Sequence, residues 1–347
     1  MASFEDKELY TEECDLGNPY RRAYLDGVLA LIEQKYADGQ LARERYFAAL
    51  KENGEALRRE YLAMLGQPME TYPTTPPIAI ESKMGEDTLC TLYRLQIEVM
   101  EGLPFYGILM LPHITRRVPL VIAQHGGDGT PELCSDIVGE NNYTEFTKRA
   151  LARGMAVFAP QLMLWKHDTE ERRDAGLSYN RNTLNDRLRQ VGLTFTGLEV
   201  FCLRRTIDYL ITRPEIDGER IGMMGLSYGG YFSLHTAAAD TRIRAIYGAA
   251  FFNDRSKIAF TDWSYDGAAH RFMDAEVCAL CAPRRLILDV GRTDTVFDYR
   301  PSVTEAERAG RYYASLDAAD NFRYHLFDGG HRFDVESDGF DFFFDGI

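Results

Sequence analysis

No stretch of this sequence runs for about 18 apolar residues without interruption, which argues against a membrane-spanning helix. Positive charge is also short: 39 Lys and Arg stand against 53 Asp and Glu, a formal charge of −14. Phosphate backbones and anionic lipid both demand a concentrated basic surface, so nucleic acid and membrane are poor partners for this chain. Cysteine is sparse and scattered, as expected of reduced thiols. The one close pair, Cys278 and Cys281, has no second pair and no nearby His to complete a zinc set, so it reads as packing. Internal repeats and low-complexity tracts are missing. The opening residues Met1 to Glu8 carry acids where a signal peptide would carry its apolar core, and the expected location is cytoplasmic.

What is present is an ordinary balance of 45% hydrophobic and 27% charged residues, enough for one large core or two modest ones. Residues 20 to 65 read as two helices. Leu25, Val28, Leu29 and Ile32 recur at helical spacing, as do Tyr46, Leu50, Leu57, Tyr61 and Leu65. Their apolar face is expected to pack on the main domain, although a contact with a second copy of the chain would show the same pattern. Gln67 to Pro77, with its prolines and threonines, reads as a linker. The expected division is therefore 1–77, a helical extension and linker, and 78–347, the main domain.

From Thr88 the period changes to two, with Tyr93, Leu95, Ile97 and Val99 alternating with polar residues, as in a half-solvated strand. Phe105 to Leu111 is expected to be a second strand, joined to the first through Glu101-Gly102. Continuous apolar runs at Leu120 to Ala123, Met155 to Ala159, Arg220 to Met224, Ile243 to Ala249 and Leu286 to Val290 read as strands of a sheet covered on both faces. Phe322 to Phe327 supplies the last. Helices are expected at about Asn142 to Arg153, Leu198 to Thr212 and Tyr231 to Ala239. Strands alternating with helices in this way indicate a doubly wound, mostly parallel α/β sheet, which binds its ligands at the carboxyl ends of the strands.

Four candidates stand in loops directly after expected strands: His125-Gly126-Gly127, Ser227, Asp294 and His331. Ser227 lies in Gly225-Leu226-Ser227-Tyr228-Gly229, between a strand and a small-residue helix. The G-x-S-x-G turn displays its serine on a sharp, strained reversal, and the order Ser, Asp, His is the order this fold demands. A serine hydroxyl is a poor nucleophile near neutral pH and needs a base, and His331 is the expected one. Asp294 would accept from the other ring nitrogen and hold the tautomer. Backbone N–H groups of Tyr228 and of the Gly126-Gly127 turn would receive the negative charge of the tetrahedral intermediate. Asp298, Asp289 and Asp254 compete with Asp294 as the acid. His113, His167, His235, His270 and His325 are expected in ordinary roles, with His125 shaping the oxyanion turn.

Asp208-Tyr209-Leu210, Arg213-Pro214-Glu215-Ile216-Asp217, Arg220-Ile221-Gly222 and the Gly-Leu-Ser-Tyr-Gly-Gly turn resemble bacterial α/β-hydrolases of the dienelactone hydrolase and acetyl xylan esterase type. The Gly291 to Phe297 segment is similar to the acid loop of acetyl xylan esterases, and Ser-Tyr-Gly-Gly-Tyr also resembles prolyl oligopeptidases. The likeness spans roughly residues 85 to 335. It implies hydrolysis of small carboxylic esters, including acetyl groups on sugars, without a cofactor or metal. The chain departs from true dienelactone hydrolases in having Ser for Cys, and it lacks the β-propeller of prolyl oligopeptidases.

Two loops after strands carry aromatics: Gln161 to Gln190 has Trp165, His167 and Tyr179, and Phe251 to Phe272 has Trp263 and Tyr265. Trp165 and Trp263 are candidate substrate-binding residues in loops that would cover the site, and packing of the loops against the body is the equal alternative. A peptidase, or a non-catalytic binding protein on an inherited fold, are the competing functional readings.

Overall fold

A nine-stranded sheet in the order β1-β2-β3-β5-β4-β6-β7-β8-β9 organises the protein, seen in a computed structural model that describes residues 19–166, 169–258 and 260–347. The first residues of the chain and His167 lie outside the described residues. The strands are β1 (Ala79–Glu86), β2 (Cys90–Met100), β3 (Leu103–Pro112), β4 (Val118–Gln124), β5 (Ala156–Pro160), β6 (Ile216–Leu226), β7 (Ile243–Ala249), β8 (Arg285–Gly291) and β9 (Phe322–Phe327). The pairs β1/β2, β2/β3 and β3/β5 are antiparallel, and every pair from β5 through β4 to β9 is parallel. The hairpin through Glu101-Gly102 forms as expected, with Met100 opposite Leu103.

The apolar runs sort their residues between the two faces of the sheet. Leu120 and Ile122 of β4 belong to one core cluster and Val121 and Ala123 to the other, and Ile221 and Met223 of β6 face away from Met224 and Leu226. This is why the central strands read as unbroken hydrophobic stretches: both faces are covered. The chain leaves β4 for β5 on one side and then crosses back over β4 to form β6 on the other. The direction of winding therefore reverses beside β4, the place where such a sheet opens a crevice at its strand ends.

The two N-terminal helices form as α1 (Pro19–Tyr46) and, after a short 3-10 turn, α2 (Leu50–Leu65). The second apolar set packs: Leu50, Leu57, Tyr61 and Leu65 are buried. The first set does not, which corrects the expectation that it packs on the main domain. Leu25, Val28, Leu29 and Ile32 are 37% to 52% exposed, because α1 packs on the body only in its second half, beyond an exposed ion pair of Glu33 with Lys257 at 3.4 Å. There a Cβ on Gly39 would lie 2.3 Å from the Ala269 carbonyl oxygen, and Arg43 is buried against Glu276 at 2.8 Å.

The loop between β5 and the helix α7 (Phe195–Leu210) was expected to be irregular, yet it holds α5 (Glu170–Asp174) and α6 (Arg181–Gln190). Thr169 and Asn180 cap them by accepting N–H groups through their side chains. The helix expected from Asn142 begins only at Phe146, since Thr144 and Glu145 take positive φ values of 57° and 56°. With α3 (Pro131–Cys134) and that helix, α4 (Phe146–Ala152), the remaining helices are α8 (Tyr228–Ala239), α9 (Ala268–Arg271), α10 (Asp274–Cys281), α11 (Arg300–Ser315) and α12 (Gly339–Phe344). Cys278 and Cys281 are buried in α10, and among the described residues no group of three His, Cys, Asp or Glu could hold a metal ion.

Candidate active site

Ser227 joins β6 to α8 with φ 58° and ψ −121°, a conformation that costs a non-glycine residue of order 1–3 kcal/mol and needs its surroundings to enforce it. The enforcement is visible. Ser227 N–H donates to the Ala249 carbonyl at the end of β7 at 2.7 Å, and the Ser227 carbonyl accepts the first helical N–H, from Tyr231, at 3.0 Å. The flanking glycines are steric requirements, for a Cβ on Gly229 would lie 2.2 Å from the Gln124 carbonyl oxygen and one on Gly225 2.3 Å from the Gly229 carbonyl carbon.

The acid and the base stand on adjacent strands. β8 and β9 pair in register to Gly291 opposite Phe327, and backbone bonds stitch the two loops beyond: Arg292 N–H to Phe327 O at 2.9 Å and Thr293 N–H to Gly329 O at 2.9 Å. This brings His331 Nδ1 to 2.8 Å from Asp294 Oδ2. The other carboxylate oxygen of Asp294 accepts from Val296 N–H at 2.7 Å and Phe297 N–H at 3.2 Å. Burial alone would raise the Asp294 carboxyl, but the bond from His331 and those two amides outweigh it and hold the group below its ordinary value. Phe297 stacks on the His331 ring at 6.0 Å between centroids. Asn142 donates to the His331 carbonyl oxygen at 2.7 Å.

The three rival acids are engaged elsewhere. Asp289 takes Tyr247 Oη and the Asp334 N–H, Asp254 caps a 3-10 turn at Ser256, and Asp298 pairs with Arg300. His325 bonds Asp334, and His235 is buried beside Tyr61.

The turn after β4 is built around His125. Its Nε2 accepts Leu162 N–H at 3.0 Å, so the ring proton sits on Nδ1 and is donated to the Gly126 carbonyl oxygen at 2.8 Å. Full burial pushes the imidazole down to about 4 and keeps it neutral. With the Gly126 carbonyl held on one side of its peptide, the Gly127 N–H on the other side of that peptide points the opposite way. Gly126 N–H is itself consumed by Tyr143 Oη at 2.9 Å. Among the described residues no acceptor engages the N–H of Gly127 or of Tyr228, and a Cβ on Gly126 would lie 3.3 Å from that of Ser227. Likewise no hydrogen bond engages Ser227 Oγ or His331 Nε2.

Trp263 is 3% exposed. It stacks flat on Tyr231 at 4.6 Å, meets the edge of Tyr228 at 4.7 Å and stacks on Phe297 at 5.7 Å, so it packs the ground beneath the turn. Trp165 is half-buried, edge-on to Tyr179 at 5.0 Å, and bridges to Asp128 beside Gly127. Tyr143, Asn142, Phe297 and the Asp262 carboxylate that accepts the Tyr228 hydroxyl at 2.9 Å escaped the sequence reading. Each acts through packing partners distant in sequence, and only the polar run Asn141-Asn142-Tyr143 before a helix marked any of them.

A serine held in this way between a β-strand and a helix, with a His-Asp pair carried by the last two strands of a parallel sheet, decides the architecture. The chain has the α/β-hydrolase fold. Comparison agrees: residues 133–261 match the model of the Dienelactone hydrolase family. This segment contains Ser227 but neither Asp294 nor His331. A structure named as an acetyl xylan esterase from Bacteroides fragilis is similar with a TM-score of 0.63 and 16% identity, over 80% of this chain and 75% of that one. A glucuronoyl esterase from Solibacter usitatus gives 0.57 and 15%, over 82% and 88%. A Bacillus subtilis protein named as a hydrolase, YtaP, is 26% identical over 148 residues, which is 40% of this chain and spans only 50% of that relative. No helix among the described residues is long and apolar enough to cross a membrane.

Proposed function

We propose that this hydrolase cleaves carboxylic esters through an acyl-enzyme on Ser227. The observation that carries the reading is the 2.8 Å bond from His331 Nδ1 to Asp294. It fixes the imidazole with its Nε2 lone pair free, as a general base requires, and Ser227 Oγ is the nucleophile left without a partner. In the reaction His331 Nε2 takes the Ser227 proton as Oγ attacks the ester carbonyl, and Asp294 steadies the imidazolium that results. The oxyanion is received by the N–H of Tyr228 and of Gly127. Gly126 then serves the turn, not the oxyanion, because Tyr143 has already claimed its N–H. Collapse expels the alcohol with the proton from His331, and water repeats the sequence to release the acid.

The names of the structural neighbours favour esters borne on carbohydrate, acetyl groups foremost, and Trp165 is the tryptophan with ring surface left for a sugar or acyl chain. The decisive test pairs an alkyl fluorophosphonate with the chain and with Ser227→Ala, followed by a screen of acetylated sugars beside aryl acetates. Covalent labelling confined to Ser227, with ester turnover lost in the variant, is the expected result. Turnover persisting in Ser227→Ala would remove the proposal.

A further inference from the structure

The first half of α1, from Pro19 to Ile32, is about 21 Å of helix that projects past the Glu33–Lys257 pair. At about 100° per residue, Tyr20, Tyr24, Leu25, Val28, Leu31 and Ile32 fall on one side of it, the same side that further along sets Gly39 and Arg43 against the body. The face buried in the second half of the helix therefore runs on uncovered through the first. Tyr20 and Tyr24 are 83% and 78% exposed, and the four aliphatic side chains 37% to 53%. Together they present on the order of 600 Å². That is the upper end of the patches of about 300–600 Å² that monomeric proteins leave uncovered, and such patches mark interaction surfaces.

We propose that the occupant is a second copy of the chain, two projections lying antiparallel about a two-fold axis so that each covers the other's stripe. Burying about 600 Å² on each copy removes about 1,200 Å² in all, the lower bound of a stable protein–protein interface, so the stripe is large enough to hold two copies together. A two-fold axis requires a self-complementary patch, and an apolar helix face packed on its own like supplies one. Charge favours the same partner. Residues 19 to 36 carry Arg21, Arg22 and Lys35 against Asp26 and Glu33, whereas the chain as a whole stands at −14, so the net-positive arm of one copy is drawn to the acidic remainder of the other. An anionic lipid surface fits less well. The side of the helix away from the stripe holds Arg22 paired with Asp26 at 2.9 Å, not the row of Lys and Arg that such a surface selects.

Sedimentation velocity of the full chain, from about 1 to 100 µM, reads the oligomeric state, and a dimer in equilibrium with monomer is the expected result. Leu25→Glu combined with Ile32→Glu sets like charges in the middle of the stripe and should weaken association by about 100-fold or more, with the thermal unfolding of the body unchanged. Tyr24→Ser, a single change at an exposed position, should weaken it about tenfold or more and carries the test if the double variant does not fold. Leu41→Glu, at a side chain 53% exposed on the other side of α1, should leave the dimer as it was. A monomer throughout the range would overturn the proposal, and flotation of that monomer with phosphatidylserine vesicles would give the stripe to lipid instead. A dimer indifferent to the double variant and to Tyr24→Ser, or one lost equally in Leu41→Glu, would overturn it too.

Discussion

Asp294→Asn tests the proposed chemistry most sharply, because the structure dictates which way the amide must face. In the native protein one carboxylate oxygen accepts two backbone N–H groups, from Val296 and Phe297, and the other accepts from His331 Nδ1. An asparagine keeps its carbonyl oxygen with the two amides, since the opposite flip would set NH2 against two donors. The side-chain NH2 then confronts His331 Nδ1 and can only donate to it. The ring proton must move to Nε2, the atom that has to accept from Ser227. Loss of the correct tautomer in a serine triad lowers kcat by about 10,000-fold, or roughly 5 kcal/mol of transition-state stabilisation. KM should change little, because ground-state contacts to substrate are untouched. The measurement is kcat and KM on p-nitrophenyl acetate, with thermal unfolding recorded beside it to show that the variant is folded. A folded Asp294→Asn protein whose kcat stays within tenfold of the parent would refute both the assignment of the acid and the tautomer argument.

Other substitutions probe the supporting parts. Tyr143→Phe strips the acceptor from the buried Gly126 N–H and should cost about 1–3 kcal/mol in unfolding free energy, measured by urea titration. It should also lower kcat, through a loosened oxyanion turn. Gly229→Ala forces a methyl to 2.2 Å from the Gln124 carbonyl oxygen and should yield insoluble or markedly destabilised protein on expression. Glu199, 4% exposed with its Oε1 accepting the Met163 N–H at 2.8 Å, makes stability depend on pH in a defined direction. Burial raises its folded value to about 7, above the ordinary 4.5, so the folded state holds the proton more tightly, and stability falls as pH rises through that window. Glu199→Gln should flatten the decline between pH 5 and pH 8 by a few kcal/mol, on the order of 1.4 kcal/mol for each unit of difference. An equal slope in the two proteins would contradict the burial argument.

The strands that build the site were legible in the sequence because a sheet covered on both faces writes itself as short continuous apolar runs, and those of β4, β6, β8 and β9 lead within a few residues to His125, Ser227, Asp294 and His331. The edge strand β1 was not, since its residues are exposed or half-buried and carry no alternation to read. The helices α5 and α6 were hidden by their polarity, their only local signals being the caps at Thr169 and Asn180. The apolar stripe at Leu25 to Ile32 was read correctly as helical but not as uncovered, because periodicity states which face is apolar and not what lies against it. Within the site, spacing and chain order pointed to Ser227, Asp294 and His331. Tyr143, Phe297 and Glu199 could not be found that way, for their partners come from remote parts of the chain.

β9 ends the sheet, with β8 its single neighbour, and the loop that carries His331 hangs from this outermost strand. The nucleophile, by contrast, is rooted in a central strand held on both sides. Gentle heating or low denaturant should therefore peel the rim before the middle gives way, separating base from nucleophile while most of the molecule is still folded. Enzymatic activity in such a molecule is a more sensitive gauge of early loosening than any spectroscopic average over the whole chain.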